Sequence, residues 1–230
     1  EAAGKRMGSL GYNSFFWYPK KGGIEELIKA FSSNIKDISL GCELSSIDLK
    51  SKTLVFKDGR SERFDILIST IPLPELGKII CDLPKSISRE VKKLRWLSIY
   101  NLNFGLEKKP KTSKHWIYFP QQNVPFFRTG FFSNFSSEAA PPKRGSIYSE
   151  FSYIENGYLN KEGIAADTKK GLRKLGVIKA DGGICCENIN DIKYAYPIYD
   201  LNYSSARGNV VNFLLRNKVI ACGRYGGWRY

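Results

Sequence analysis

From Leu97 onward the chain is a succession of aromatic and β-branched runs, "LSIYNLNFGL", "HWIYF", "PFFRTGFF" and "SIYSEFSY", separated by clusters of Pro, Asn, Ser and Lys. Such side chains fit a pleated, half-buried surface, and the breaker clusters end each run after a strand's length. The runs therefore predict neighbouring antiparallel strands. "NKEGIAADTKKGLRKLG" then changes period, with Ile164, Thr168, Leu172 and Leu175 on one helical face and Gly176 as a stop. "DIKYAYPIYDLNY" predicts a strand interrupted by Pro197, "SARGNVVNFLLRN" a last helix and "KVIACG" a closing strand.

The first part of the chain differs in character. "YPKKGGIEELIKAFSSNI" places Ile24, Leu27, Ile28 and Phe31 at helical spacing behind Gly22 and Gly23, which predicts a helix over about 24–34. "CELSSIDL", "KTLVF" and "RFDILIST" make residues 36–70 β-rich, and Asp58-Gly59 between apolar runs signals a hairpin. The helix and the hairpin each have one apolar face and are expected to pack on each other. Pro72 and Pro74 break the last strand, and "PKSISREVKKLRWL" predicts a helix begun near Ser86. A boundary follows it.

Composition narrows the function classes. No run approaches 18 apolar residues, which argues against a membrane span, and no basic-then-apolar leader opens the sequence. Cys42, Cys81, Cys185, Cys186 and Cys222 are scattered, with no Cys-x-x-Cys and a single histidine, a pattern that argues against zinc or a disulfide framework and for a reduced, cytoplasmic setting. The 36 Lys and Arg against 22 Asp and Glu give a net charge of +14, which favours anionic partners. A nucleophilic triad would have to use His115, which no motif supports, and catalytic residues stay unassigned. Glu150 alternates with Tyr148 and Ser152 along one strand face, as a paired strand residue would. Neither Gly-x-Gly-x-x-Gly nor a Walker loop occurs.

Two features remain. Gly22 and Gly23 leave backbone N–H groups open at a helix start, as a ligand site or a plain tight turn would, while Glu25 and Glu26 repel a phosphate there. Arg128 in "PFFRTGF" sits in an otherwise apolar strand and points either to solvent or into a cleft that offers a phosphate or carboxylate.

Taken together, "YPKKGGIEEL", "FDILISTIPLPEL", "PFFRTGF", "YAYPIYDLNY" and above all "CGRYGGWRY" resemble the flavin-containing amine oxidase superfamily, in the branch of the UDP-galactopyranose mutases. The resemblance implies an α+β fold, with part of an FAD-binding domain over residues 1–94, a substrate-binding domain with a mixed or antiparallel sheet and covering helices over 95–217, and a return strand of the FAD domain over 218–230. It implies FAD as cofactor, met by Gly22, Gly23, Leu44, Gly223 and Arg224, and an anionic substrate such as a nucleotide-sugar, met by Arg128, Tyr196, Trp228 and Tyr230. It implies flavin chemistry that asks little of protein acids and bases, which suits a chain with one histidine. An oxidoreductase acting on an amine or porphyrinogen-like substrate is the second expectation. A basic nucleic-acid-binding module is the third, disfavoured because the charge is dispersed. Relative to that family the sequence lacks the opening phosphate loop and the segment following the closing strand. Residues 1–230 alone are therefore expected to bind FAD weakly or not at all; micromolar binding, measured by flavin fluorescence quenching, would contradict this.

Overall fold

The aromatic runs become one sheet. The computed structural model describes residues 16–154, 159–179 and 183–230. In chain order its elements are α1 (Glu25–Ser32), β1 (Leu44–Asp48), β2 (Thr53–Phe56), β3 (Ser61–Arg63), β4 (Leu67–Ser69), α2 (Leu73–Ile79), α3 (Lys85–Lys93), β5 (Trp96–Leu106), β6 (Trp116–Tyr118), β7 (Arg128–Gly130), α4 (Phe132–Phe135), β8 (Gly145–Ile154), α5 (Ile164–Lys174), β9 (Ile184–Pro197), α6 (Tyr203–Arg216), β10 (Val219–Ala221) and α7 (Gly223–Gly226). The fold is α+β. Five antiparallel strands form the main sheet in the order β6-β7-β8-β5-β9.

Alternation along β5 gives that sheet two different faces. Tyr100, Leu102, Phe104 and Leu106 join Ile147 and Phe151 of β8, Phe126, Phe131, and Ile164 and Leu172 of α5 in one buried core. Asn101, Asn103 and Gly105 fall on the opposite face. A second core gathers Ile47, Leu73, Leu76, Val91, Leu94 and Trp96 with Ala206, Val210 and Leu214 of α6, Val219 and Trp228. Beside it, β4 and β10 run parallel, Leu67 to Ser69 against Val219 to Ala221.

Several expectations are corrected. The run "RFDILIST" divides: Ser61–Arg63 closes the Asp58-Gly59 hairpin on β2, while Leu67–Ser69 leaves it and pairs with β10. The apolar face of α1 is not buried: Ile24 is 58% and Phe31 66% exposed, and no residue of the helix is buried, so α1 does not bury its apolar face on the hairpin. Its turns are held locally, with Lys29 bridging Glu26 at 3.1 Å and Glu25 at 3.7 Å. Pro72 and Pro74 do not merely end a strand; they open α2, where a missing N–H costs nothing. Phe132–Phe135 is a helical turn instead of strand. Leu175 caps α5 and is exposed. Finally, α6 packs in the same core as α3, although the boundary expected at 217 places it with the sheet. Among the described residues no helix is long and apolar enough to cross a membrane.

Glu75 ties α2 to the end of β9 in the main sheet. Its carboxylate accepts from Lys193 at 2.7 Å and from the Tyr194 hydroxyl, both on β9, and from Lys78 at 2.9 Å. Partial burial acts to raise the carboxyl's pKa, but the bonds from Lys193, Tyr194 and Lys78 outweigh it and hold the pKa at about 2, below the ordinary 4.5. A depressed pKa adds stability that is complete above the unfolded value and is lost as pH falls toward the folded one. Discounted for a partly exposed group, Glu75→Gln is expected to cost about 1–2 kcal/mol at pH 7. The gap between parent and variant should narrow from about pH 4.5 down to about pH 2, read from urea midpoints across that range.

Candidate functional site

Strand register assembles the site on the open face of the main sheet. Arg128 of β7 lies opposite Glu150 of β8, which faces Asn101 of β5, which faces Asn190 of β9. The next rung on the same face is Gly130, Tyr148, Asn103 and Asn188. The Asn103 amide donates to Asn101 at 2.7 Å and the Asn190 amide to Asn188 at 3.0 Å, so the middle of the face is lined with neutral amides. Gly130 is required here because the Tyr148 ring lies where any Cβ at that position would be.

Arg128 points across the strands, not out to solvent. Its Nε and Nη2 both reach Glu150 Oε2 at 2.5 Å, and its Nη1 donates to the Tyr118 hydroxyl at 3.1 Å. The rings of Tyr118, Phe127 and Tyr148 surround the guanidinium at 5.6–5.9 Å. Burial disfavours its charge, but the Glu150 carboxylate outweighs that and holds the pKa above its ordinary value. Burial also pushes the Tyr148 phenol up, to about 12; Arg128 pulls against this, and Glu150, Tyr118 and Tyr196 add to it.

Tyr196 belongs to a second cluster. Arg224 donates from Nη2 to the Ala195 carbonyl at 2.9 Å, and its guanidinium carbon sits 4.8 Å from the Tyr196 ring centre and 4.6 Å from that of Tyr230. The two rings are 5.5 Å apart. No carboxylate pairs with Arg224 among the described residues. Gly223, at φ +71°, lies just past the carboxyl end of β10, and the open space over it is bounded only by Thr70 at the end of β4. The carboxyl end of a parallel strand pair is where open α/β sheets take ligands.

The remaining expected residues lie elsewhere. Trp228, expected to meet substrate, is fully buried and packs edge-on against Trp96 and Tyr194; among the described residues its indole N–H has no hydrogen-bond partner. Its apolar bulk is what fills the core. Gly22 and Gly23 adopt φ of +70° and +71°, but the Glu26 side chain lies directly over Gly22, and the preceding Tyr18 and Lys20 are held by Phe135 and Ser136. Leu44 is half-buried at the start of β1, opposite Phe56. His115 is exposed and packs against the rings of Phe16, Trp116 and Phe135, away from the Arg128 and Arg224 clusters. Among the described residues no group of three or more His, Cys, Asp or Glu gathers to hold a metal. The sequence did not show Glu150 as the partner of Arg128, nor Tyr118 as a member of the site; both follow only from cross-strand register.

The family model for flavin-containing amine oxidoreductases matches residues 2–183. The chain belongs to that family. Among solved structures, reduced UDP-galactopyranose mutase superimposes with a TM-score of 0.89 at 23% identity, covering 96% of this chain and 50% of the other. An Exiguobacterium protein provisionally named a protoporphyrinogen oxidase gives 0.70 at 15% identity over 88% of this chain and 46% of its own, and a fatty acid isomerase from P. acnes gives 0.62 at 12% over 86% and 46%. This amine oxidoreductase chain spans about half the length of those structures, and at these identities they establish its fold. A flavin cofactor follows from the family.

The Arg128–Glu150 pair supports a stability test. Arg128→Met leaves a buried carboxylate unpaired and is expected to cost about 3–5 kcal/mol, whereas Arg128→Met with Glu150→Leu should recover most of it. Chemical denaturation of both variants checks this; equal losses would mean that the pair is already solvated.

Proposed function

We propose that this chain forms the substrate-holding part of an FAD-dependent enzyme that acts on an anionic, nucleotide-sugar-like substrate over the open face of the main sheet. The observation that carries the reading is Arg224, a cation with no carboxylate partner among the described residues, held between Tyr196 and Tyr230 next to the exposed backbone of Gly223. FAD, when bound, supplies the electron pair that the protein's own side chains do not offer. The open space over Gly223 and the charge of Arg224 fit one wall of a flavin site. The tyrosines exclude water and stack on a ring, while the Arg224 and Arg128 guanidiniums steady a diphosphate, Arg128 through the donors that Glu150 leaves it. The neutral asparagine floor offers hydrogen bonds to sugar hydroxyls without adding charge.

The Arg128–Glu150 pair favours a second reading, since it halves the fixed positive charge of the cleft. An amine or porphyrinogen-like substrate that loses hydride to FAD needs less cation than a diphosphate does.

In the complete FAD-loaded enzyme, Arg128→Ala is expected to weaken UDP binding by about 2–5 kcal/mol with FAD content unchanged, because it removes a donor and leaves the Glu150 carboxylate facing the ligand. Lys at that position should rescue only part. Glu150→Gln should tighten UDP, since Arg128 is no longer neutralised. Calorimetric titration decides: UDP affinity indifferent to both changes, with amine-dependent flavin reduction falling in Glu150→Gln, moves the oxidoreductase reading ahead.

A further inference from the structure

The third rung of the open face holds something the flavin reading does not use. β9 keeps regular register with β5 from Asp191 to Cys186, which faces Gly105, but the next pair is Leu106 with Ile184. Cys185 has no partner in the ladder and is the extra residue of a β-bulge. In a regular strand adjacent residues point to opposite faces; the bulge turns both thiols to one side. Both sulfurs lie within 3.3 Å of the point where a side chain on Gly105 would begin, so they are separated by no more than twice that distance. The missing Cβ of Gly105 is the room they share. Both thiols are free and exposed, and they line a cavity of about 300 Å³ together with Asn103, Phe132, Pro141 and Arg144.

We propose that Cys185 and Cys186 form a two-sulfur site for a soft, thiophilic cation, with monovalent copper as the ion that fits. Tetrahedral zinc needs about four ligands, and among the described residues no third His, Cys, Asp or Glu joins the pair. Thiolates select copper(I) among first-row metals, and it accepts two donors in line. On binding, each thiol releases its proton to solvent and two S–Cu bonds form without a change of oxidation state. The product carries one net negative charge. Arg144 lines the same cavity and has no carboxylate partner among the described residues, so its guanidinium offsets that charge. Glu187, also on the wall, is occupied by Lys169 at 2.7 Å.

The test titrates the reduced, metal-free 230-residue chain with copper(I) under anaerobic conditions, in competition with a chromophoric copper(I) chelator. One copper per chain is expected. Cys185→Ser and Cys186→Ser should each weaken binding at least ~tenfold, the lower end of what losing a metal-site contact costs, while a Cys42→Ser, Cys81→Ser, Cys222→Ser triple variant should bind as the parent does. Gly105→Ala, whose methyl takes the shared space, should weaken binding with the circular dichroism spectrum and melting point near the parent's. Phenylarsine oxide, which joins two thiols with loss of water, reports their convergence independently of copper. Copper held equally well by both serine variants overturns the proposal, as does arsenical uptake without copper binding, or a parent chain that takes up neither.

Discussion

Residues 96–106 have to satisfy two environments at once, and the rest of the molecule is arranged around how they do it. One side of β5 is aromatic and aliphatic and requires a cover, which α5 and the Phe126–Phe131 segment provide. The other side continues from Leu97 and Ile99 into Asn101, Asn103 and Gly105, and this last stretch requires hydrogen bonds or water. Because the side-chain period of a strand is two, a one-residue slip of β8 against β5 would turn Glu150 and Tyr148 into the core under α5 and take Ile147 and Phe151 out of it. The hydrophobic core thus fixes the register. The register in turn places Arg128 beside Glu150.

The two arginines of the face illustrate different answers to the same electrostatic problem. Arg128, largely buried, has its charge met by a carboxylate one strand away. Arg224, near the surface, is met by π-faces and a single carbonyl, partners that attract a cation without cancelling its charge. In the proposed site a ligand's negative charge would gain more at Arg224, while Arg128 would contribute direction. Identical side chains on one face differ in this way because burial demands a counter-charge and exposure does not.

Much of this was legible in the sequence where a signal was local. β5 to β8 of the main sheet, the Asp58-Gly59 hairpin, the Ile164–Leu172 face of α5 and the closing strand each announce themselves within a dozen residues; β9 does so only in "DIKYAYP", since it starts back at Ile184 and ends at Pro197 instead of continuing beyond it. What failed was non-local. Whether Leu67–Ser69 folds back on its hairpin or runs parallel to a strand 150 residues later is decided by the second core, not by its own composition. The family resemblance implies a substrate contact for Trp228, but the turn after α7 directs its ring inward onto Trp96. Arg128 was recognisable as an odd residue in an apolar strand; that Glu150 satisfies it could be seen only once β7 and β8 were aligned.

The cleft's chemistry follows from this division between core and face. Along β5 and β8 the floor is the reverse side of strands packed against a core, and it is electrically nearly neutral from Asn190 across to the Arg128–Glu150 pair. Neutral, fixed donors and acceptors discriminate by the shape and hydroxyl pattern of a ligand, because an unmatched amide left dry costs about 1–3 kcal/mol, whereas uncompensated charge attracts any anion. In the proposed site the floor would select among ligands and the Arg224 edge would draw them in. A change of substrate within such a scaffold is most economically made on the asparagine rungs, where substitution alters selectivity without disturbing the register that the opposite face enforces.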